Sequence, residues 1–138
     1  MASHKIDLQW LADDKFNVHQ NGKSIRIDAN TDENASTGVR PKALILSSLA
    51  GCTAIDVVEI LRKMRVDFDE FNIDVTGDLT DTDPKTYQTV TLVYRIRLKN
   101  PADKDKMEKA VNLSQEKYCG VSAMVRKFAD LKYSIEYL

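Results

Sequence analysis

The run Lys42–Arg65, KALILSSLAGCTAIDVVEILRKMR, most constrains what this chain can fold into. Leu44, Leu46, Leu49, Ala50, Ala54, Ile55, Val57, Val58, Ile60, Leu61 and Met64 leave little polar circumference before Arg62. Pro41 suits the first turn of a helix, where its missing N–H is not needed. A helix apolar nearly all round must be covered on several sides. In a chain of 138 residues one sheet cannot cover all of it, so a second subunit is expected to supply the rest. The run has nearly the length of a membrane span, but Asp56 and Glu59 fall inside it. Each acidic residue near the middle of a span costs roughly 3 kcal/mol. The expectation is therefore a core helix of a soluble protein, with no membrane partner.

The flanking segments alternate with period two. KIDLQWL from about Lys5, Phe16–Gln20 and Ser24–Asp28 read as strands, and Asn21-Gly22 is a two-residue hairpin signal between the last two. ANTDENASTGVRP is a polar surface loop rich in turn residues. After the helix, DEFNIDVTGDLT and TYQTVTLVYRIRLKN alternate over long stretches, joined by TDTDPK. Val90, Leu92, Tyr94, Ile96 and Leu98 share one face, opposite Thr91, Val93, Arg95 and Arg97, as in an antiparallel pair with one solvated side. Pro101–Lys117 reads as a second helix, interrupted at Tyr118-Cys119-Gly120; a short helical piece, Val121–Phe128, and the strand KYSIEYL follow. The order βββ-α-ββ-α-β implies an α+β fold. No repeat or linker divides residues 1–138, which are expected to form a single domain.

A net charge of −1 and a pI near 6.1 provide no general attraction for phosphate backbones, so nucleic acid is not an expected partner. The N-terminus has no apolar signal region, which points to the cytoplasm, where a disulfide would be transient or catalytic.

The two cysteines carry the chemistry. Cys52 sits in the apolar helix, and a lone cysteine there packs as a small hydrophobe. Cys119 lies at a break between helical pieces, where a helix N-terminus favours a thiolate. By position Cys119 is the better-activated thiol and Cys52 the more enclosed one. Burial raises the pKa of Cys52, and Asp56 one turn on raises it further, so a cation must offset both. Arg40, Lys42 and Arg126 are the candidates. Ser48, Leu49, Ile55 and Met124 are candidates to line a pocket. Asp56 reads as a hydrogen-bonded or interfacial polar residue and Glu59 as part of a solvated face. His4, His19 and the cysteines lack any metal-ligand spacing, so no metal site is expected.

The helix with GCTAIDVV, the two long strands, the second helix and EKYCGVS resemble the family of osmotically inducible protein C (OsmC) and organic hydroperoxide resistance proteins, in its GCTA-[IM]-D branch. The resemblance covers most of the chain from about Pro41, with the preceding meander. It implies an intertwined homodimer in which antiparallel sheet wraps two long central helices. It also implies reduction of organic hydroperoxides in oxidative-stress defence, with Cys52 peroxidatic, Cys119 resolving, an external dithiol as reductant and no cofactor. The better-known members carry a carboxylate just after the proline that opens the long helix, paired with an arginine. Here that position is Lys42. The alternative function is a non-catalytic dimeric module that keeps the fold and binds a hydrophobic ligand.

Overall fold

A computed structural model describes all residues, Met1–Leu138, in two compact units, Met1–Ile45 and Leu46–Leu138. In the N-terminal unit, strands β1 (Asp7–Ala12), β2 (Lys15–Gln20) and β3 (Lys23–Asp28) form an antiparallel meander in the order β1-β2-β3. Asn21 and Gly22 take φ values of 49° and 74°, as a two-residue hairpin with matched twist requires. They set the register Gln20↔Lys23 through Lys15↔Asp28.

The polar stretch after β3 is pinned at its base by the buried Asp28. Its Oδ1 accepts from the Asn30 amide at 2.8 Å, and its Oδ2 accepts from the Thr37 amide at 2.9 Å and the Thr37 hydroxyl at 3.2 Å. These donors, Thr37 first, hold the carboxyl below its ordinary value of 3.8. The loop returns so that Val39 bridges Ile27, with the Val39 amide on the Arg26 carbonyl at 2.9 Å. Gly38 allows that approach, since a Cβ there would lie 2.6 Å from the Arg26 carbonyl oxygen.

Helix α1 (Leu44–Lys63), whose residues from Leu46 onward belong to the C-terminal unit, organises that unit. The residues Pro41–Ala43 form a turn ahead of it, so the helix starts one turn later than the sequence implies. Leu49, Thr53, Val57 and Leu61, spaced by four, are its buried stripe. Full burial of each aliphatic member contributes about 1.5–3 kcal/mol. The helix is long and apolar enough to cross a membrane by length and composition, yet this stripe has no exposed surface and belongs to the protein core. Ile55, by contrast, is 64% exposed, so a single chain covers one side of α1 and not the several that its composition calls for. The helix ends in a left-handed Arg65 (φ 57°), with the Val66 amide on the Leu61 carbonyl and the Arg65 amide on the Arg62 carbonyl. That pair of bonds is a Schellman cap with arginine in the place where glycine is usual.

Strands β4 (Phe68–Leu79) and β5 (Tyr87–Leu98) pair antiparallel over their length. On β5 the inward series Val90, Leu92, Tyr94 and Ile96 is fully buried. On the outward face Arg95 pairs with Asp74 and with Glu136 at 2.7 Å, and Arg97 with Glu70 at 3.4 Å. The final strand β6 (Asp130–Tyr137) lies parallel to β5, giving the order β4-β5-β6. The α+β fold therefore stands, but the sheet is mixed where an antiparallel one was expected. A helical crossover separates β5 from β6, and such a crossover returns the chain in the same direction.

The crossover is more broken than one helix and a short piece. A 3-10 turn (Pro101–Asp103) leads into α2 (Lys104–Leu113), then a π turn (Ser114–Tyr118), then α3 (Gly120–Val125). The Cys119 amide closes the π turn on the Ser114 carbonyl at 2.8 Å.

Candidate active site

Helix α1 delivers Cys52, Thr53 and Asp56, strand β5 delivers Tyr94, and the π turn with its exit delivers Ser114, Gln115 and Cys119. The Cys52 and Cys119 sulfurs and an oxygen of Asp56 all lie within 4.8 Å of one another. The fold thus brings together, inside one chain, two thiols 67 positions apart (119 − 52).

The exposure of the two cysteines reverses the sequence expectation. Cys119 is only 4% exposed, whereas Cys52 is partly exposed. The π turn swings Cys119 inward, and Cys52 sits beside the buried stripe of α1 and not on it. Both cysteines are free thiols. Cys119 caps α3, its sulfur accepting from the Ser122 amide at 3.3 Å. Burial is the largest influence on Cys52 and pushes its thiol above the ordinary 9.0. The Val121 amide pulls it down, while Cys119 and Asp56 push it up again. None of these groups is a cation.

Behind the thiols runs a polar chain that the sequence reading missed, and its proton positions can be assigned. As a carboxylate, Asp56 only accepts, so its Oδ2 takes the Ser114 hydroxyl proton at 2.9 Å. Ser114 has one proton, so across the 2.7 Å contact Thr53 must donate to it. Thr53 is then spent, and Tyr94 donates to Thr53 at 2.7 Å. Tyr94 accepts in turn from the Gln115 side-chain amide at 2.6 Å. Arg126 donates to the Gln115 side-chain oxygen at 3.0 Å and to its backbone carbonyl at 2.6 Å, which fixes the amide orientation. Every proton points one way, from the guanidinium of Arg126 to the carboxylate of Asp56. Charges of opposite sign at its ends polarise such a chain throughout. Burial also raises Tyr94 above its ordinary 10.0, keeping it a phenol and a donor.

A signal for this network was present. Thr53 interrupts the otherwise aliphatic stripe Leu49-Val57-Leu61, and Ser114 continues the α2 stripe of Met107, Ala110 and Val111. A polar residue at a core position needs a partner.

The other candidates fall elsewhere. Arg126 is held by Gln115. Arg40 and Lys42 belong to the N-terminal unit, where Arg40 donates to the Asn30 carbonyl at 3.1 Å. His4 and His19 are in that unit as well. Ser48 is exposed, Leu49 is fully buried in the core, and Ile55 and Met124 are exposed at the surface. Asp56 is the hydrogen-bonded residue its setting on α1 suggested, and Glu59 is exposed.

Comparison with known proteins agrees with the fold. The chain is 31% identical over 115 residues to Protein YhfA of Escherichia coli K12, covering 83% of each. Its fold matches an OsmC-like protein from Mycoplasma pneumoniae with a TM-score of 0.84 and 15% identity, covering 99% of this chain and 98% of that one. It also matches the organic hydroperoxide resistance protein OhrB of Bacillus subtilis with a TM-score of 0.67 and 18% identity, covering 98% of each. Residues 30–134 match the family described as OsmC-like protein, and on this match and the identity to YhfA the chain belongs to that family.

Proposed function

We propose that this protein is a thiol-dependent reductase of organic hydroperoxides in oxidative-stress defence, built as a cytoplasmic homodimer with residues 1–138 as one OsmC-like domain. The observation that carries the reading is the approach of two free thiols to within 4.8 Å, the more accessible of them on a helix. The Cys52 thiolate attacks the terminal oxygen of the peroxide; the O–O bond breaks, and the alkoxide takes up a proton and leaves as alcohol. Cys52 is left as a sulfenic acid. Cys119 then attacks that sulfur, water departs, and a Cys52–Cys119 disulfide remains for an external dithiol to reduce. The exposed Ile55 and Met124 offer apolar surface to an alkyl tail, and the uncovered side of α1 offers a face to a second copy.

The test is stoichiometric. Reduced protein titrated with cumene hydroperoxide should lose both thiols and gain one disulfide by mass spectrometry. Cys52→Ser should abolish the reaction, and Cys119→Ser should stop it at the sulfenic acid. Because Cys52 lies above 9.0, its reaction with iodoacetamide should keep rising as pH passes that value. Among Arg40, Lys42 and Arg126, the residue that stabilises the thiolate is the one whose alanine variant shifts this curve to still higher pH.

One observation favours a second reading. Burial and Asp56 both hold Cys52 in the thiol form, as suits a dimeric module that binds a hydrophobic ligand with inert cysteines. Thiols that survive excess peroxide would select it.

A further inference from the structure

We propose that Cys52, Asp56 and Cys119 form a binding site for a thiophilic divalent cation, with zinc as the reference ion and water as the fourth ligand. Tetrahedral zinc holds sulfur at about 2.3 Å and carboxylate oxygen at about 2.0–2.2 Å, which puts its ligand atoms about 3.5–3.8 Å apart. The three donor atoms already lie within 4.8 Å of one another, about 1 Å beyond that spacing.

The surroundings are those of a metal centre. The Cys119 sulfur accepts from the Ser122 amide at 3.3 Å, and the Val121 amide favours the thiolate of Cys52. Amides so placed stabilise a metal-bound thiolate and orient it. Asp56 is anchored by the Ser114 hydroxyl on Oδ2 and keeps its remaining lone pairs for a metal. None of the chain's ion pairs engages Asp56, so a cation at the site displaces no existing partner. Binding releases both thiol protons to solvent, and the two thiolates and the carboxylate then carry three negative charges against the cation's two positive ones. Gly51 and Gly120, each next to one of the cysteines, are exposed, and a Cβ at either would meet nothing within 4 Å. Sequence spacing gives no hint of this set, because its members come from two helical segments far apart in the chain.

The site is tested with reduced full-length protein, without oxygen or peroxide, so the result is independent of peroxide reduction. Zinc is competed against a chromophoric chelator, and cobalt is added as a spectroscopic probe. The wild type should take up one zinc per chain and show the intense near-ultraviolet band of thiolate-to-cobalt charge transfer with tetrahedral visible bands. Cys52→Ser and Cys119→Ser should lose stoichiometric binding. Asp56→Asn should weaken it while leaving both thiols titratable, and Ser114→Ala should weaken it about 10- to 100-fold through the loosened carboxylate. Circular dichroism verifies that each variant is folded. A wild type that takes up no zinc, or a cobalt spectrum without the thiolate band, overturns the proposal whatever the variants do. Zinc binding that survives Asp56→Asn unchanged also overturns it.

Discussion

The two units each contain a three-stranded sheet and differ in what lies against it. In the N-terminal unit β1–β3 bury a single hydrophobic side chain, Ile27, and all six residues of β1 are exposed. In the C-terminal unit β4–β6 share a core with α1 and α2, and fourteen apolar residues are buried there. A sheet can bury only the face that another element covers. Strong alternation and a good hairpin are thus enough to make strands and not enough to make a core. Leu8 and Trp10 are exposed at 54% and 62%, an apolar strand face waiting for cover. The C-terminal unit can also afford a fully bonded polar network inside, because the apolar packing around it is continuous.

The largest effect that would test this contrast is a core truncation. Leu61→Ala should lower stability by about 2–5 kcal/mol in urea denaturation, since the helix and sheet around it close only partly over the void. Next comes Thr53→Val, which keeps the shape and removes the hydroxyl joining Tyr94 to Ser114. It should cost about 1–3 kcal/mol, and a neutral result would break the assigned chain of donors. Arg65→Gly should raise stability by about 1 kcal/mol by relieving the left-handed arginine at the end of α1. Smallest is Leu8→Ala, expected within about 0.5 kcal/mol for a chain on its own. A larger loss that grows with protein concentration would show that this strand face is covered by a second copy in solution.

Much of this was readable from the residues. Period-two alternation locates all six strands, because the side chains of a strand point alternately to two faces that differ in solvent exposure. Asn21-Gly22 is read correctly because few residues tolerate two successive positive φ angles. The long helix is unmistakable, although its first turn was misplaced: Pro41 suits a helix start but does not compel one. The π turn at Ser114–Tyr118 was not legible. SQEKY carries no residue that distinguishes a π turn from α-helix. The parallel pairing of β6 was missed because alternation reports which face a residue uses and says nothing of strand direction.

The same division holds for the candidate site. The sequence by itself determined the chemistry available: two thiols, a carboxylate one turn beyond the first, and the apolar stripes of α1 and β5 that pack beside them. Those are local properties, set by residue type and by the periods of helix and strand. Only the tertiary structure decided that the three groups meet within 4.8 Å, that Cys119 is the buried thiol, and that Arg126 reaches Asp56 through four intervening side chains. Those relations depend on how helices and strands pack across the core. Packing is a long-range result of volume and hydrogen-bond satisfaction that no single segment contains.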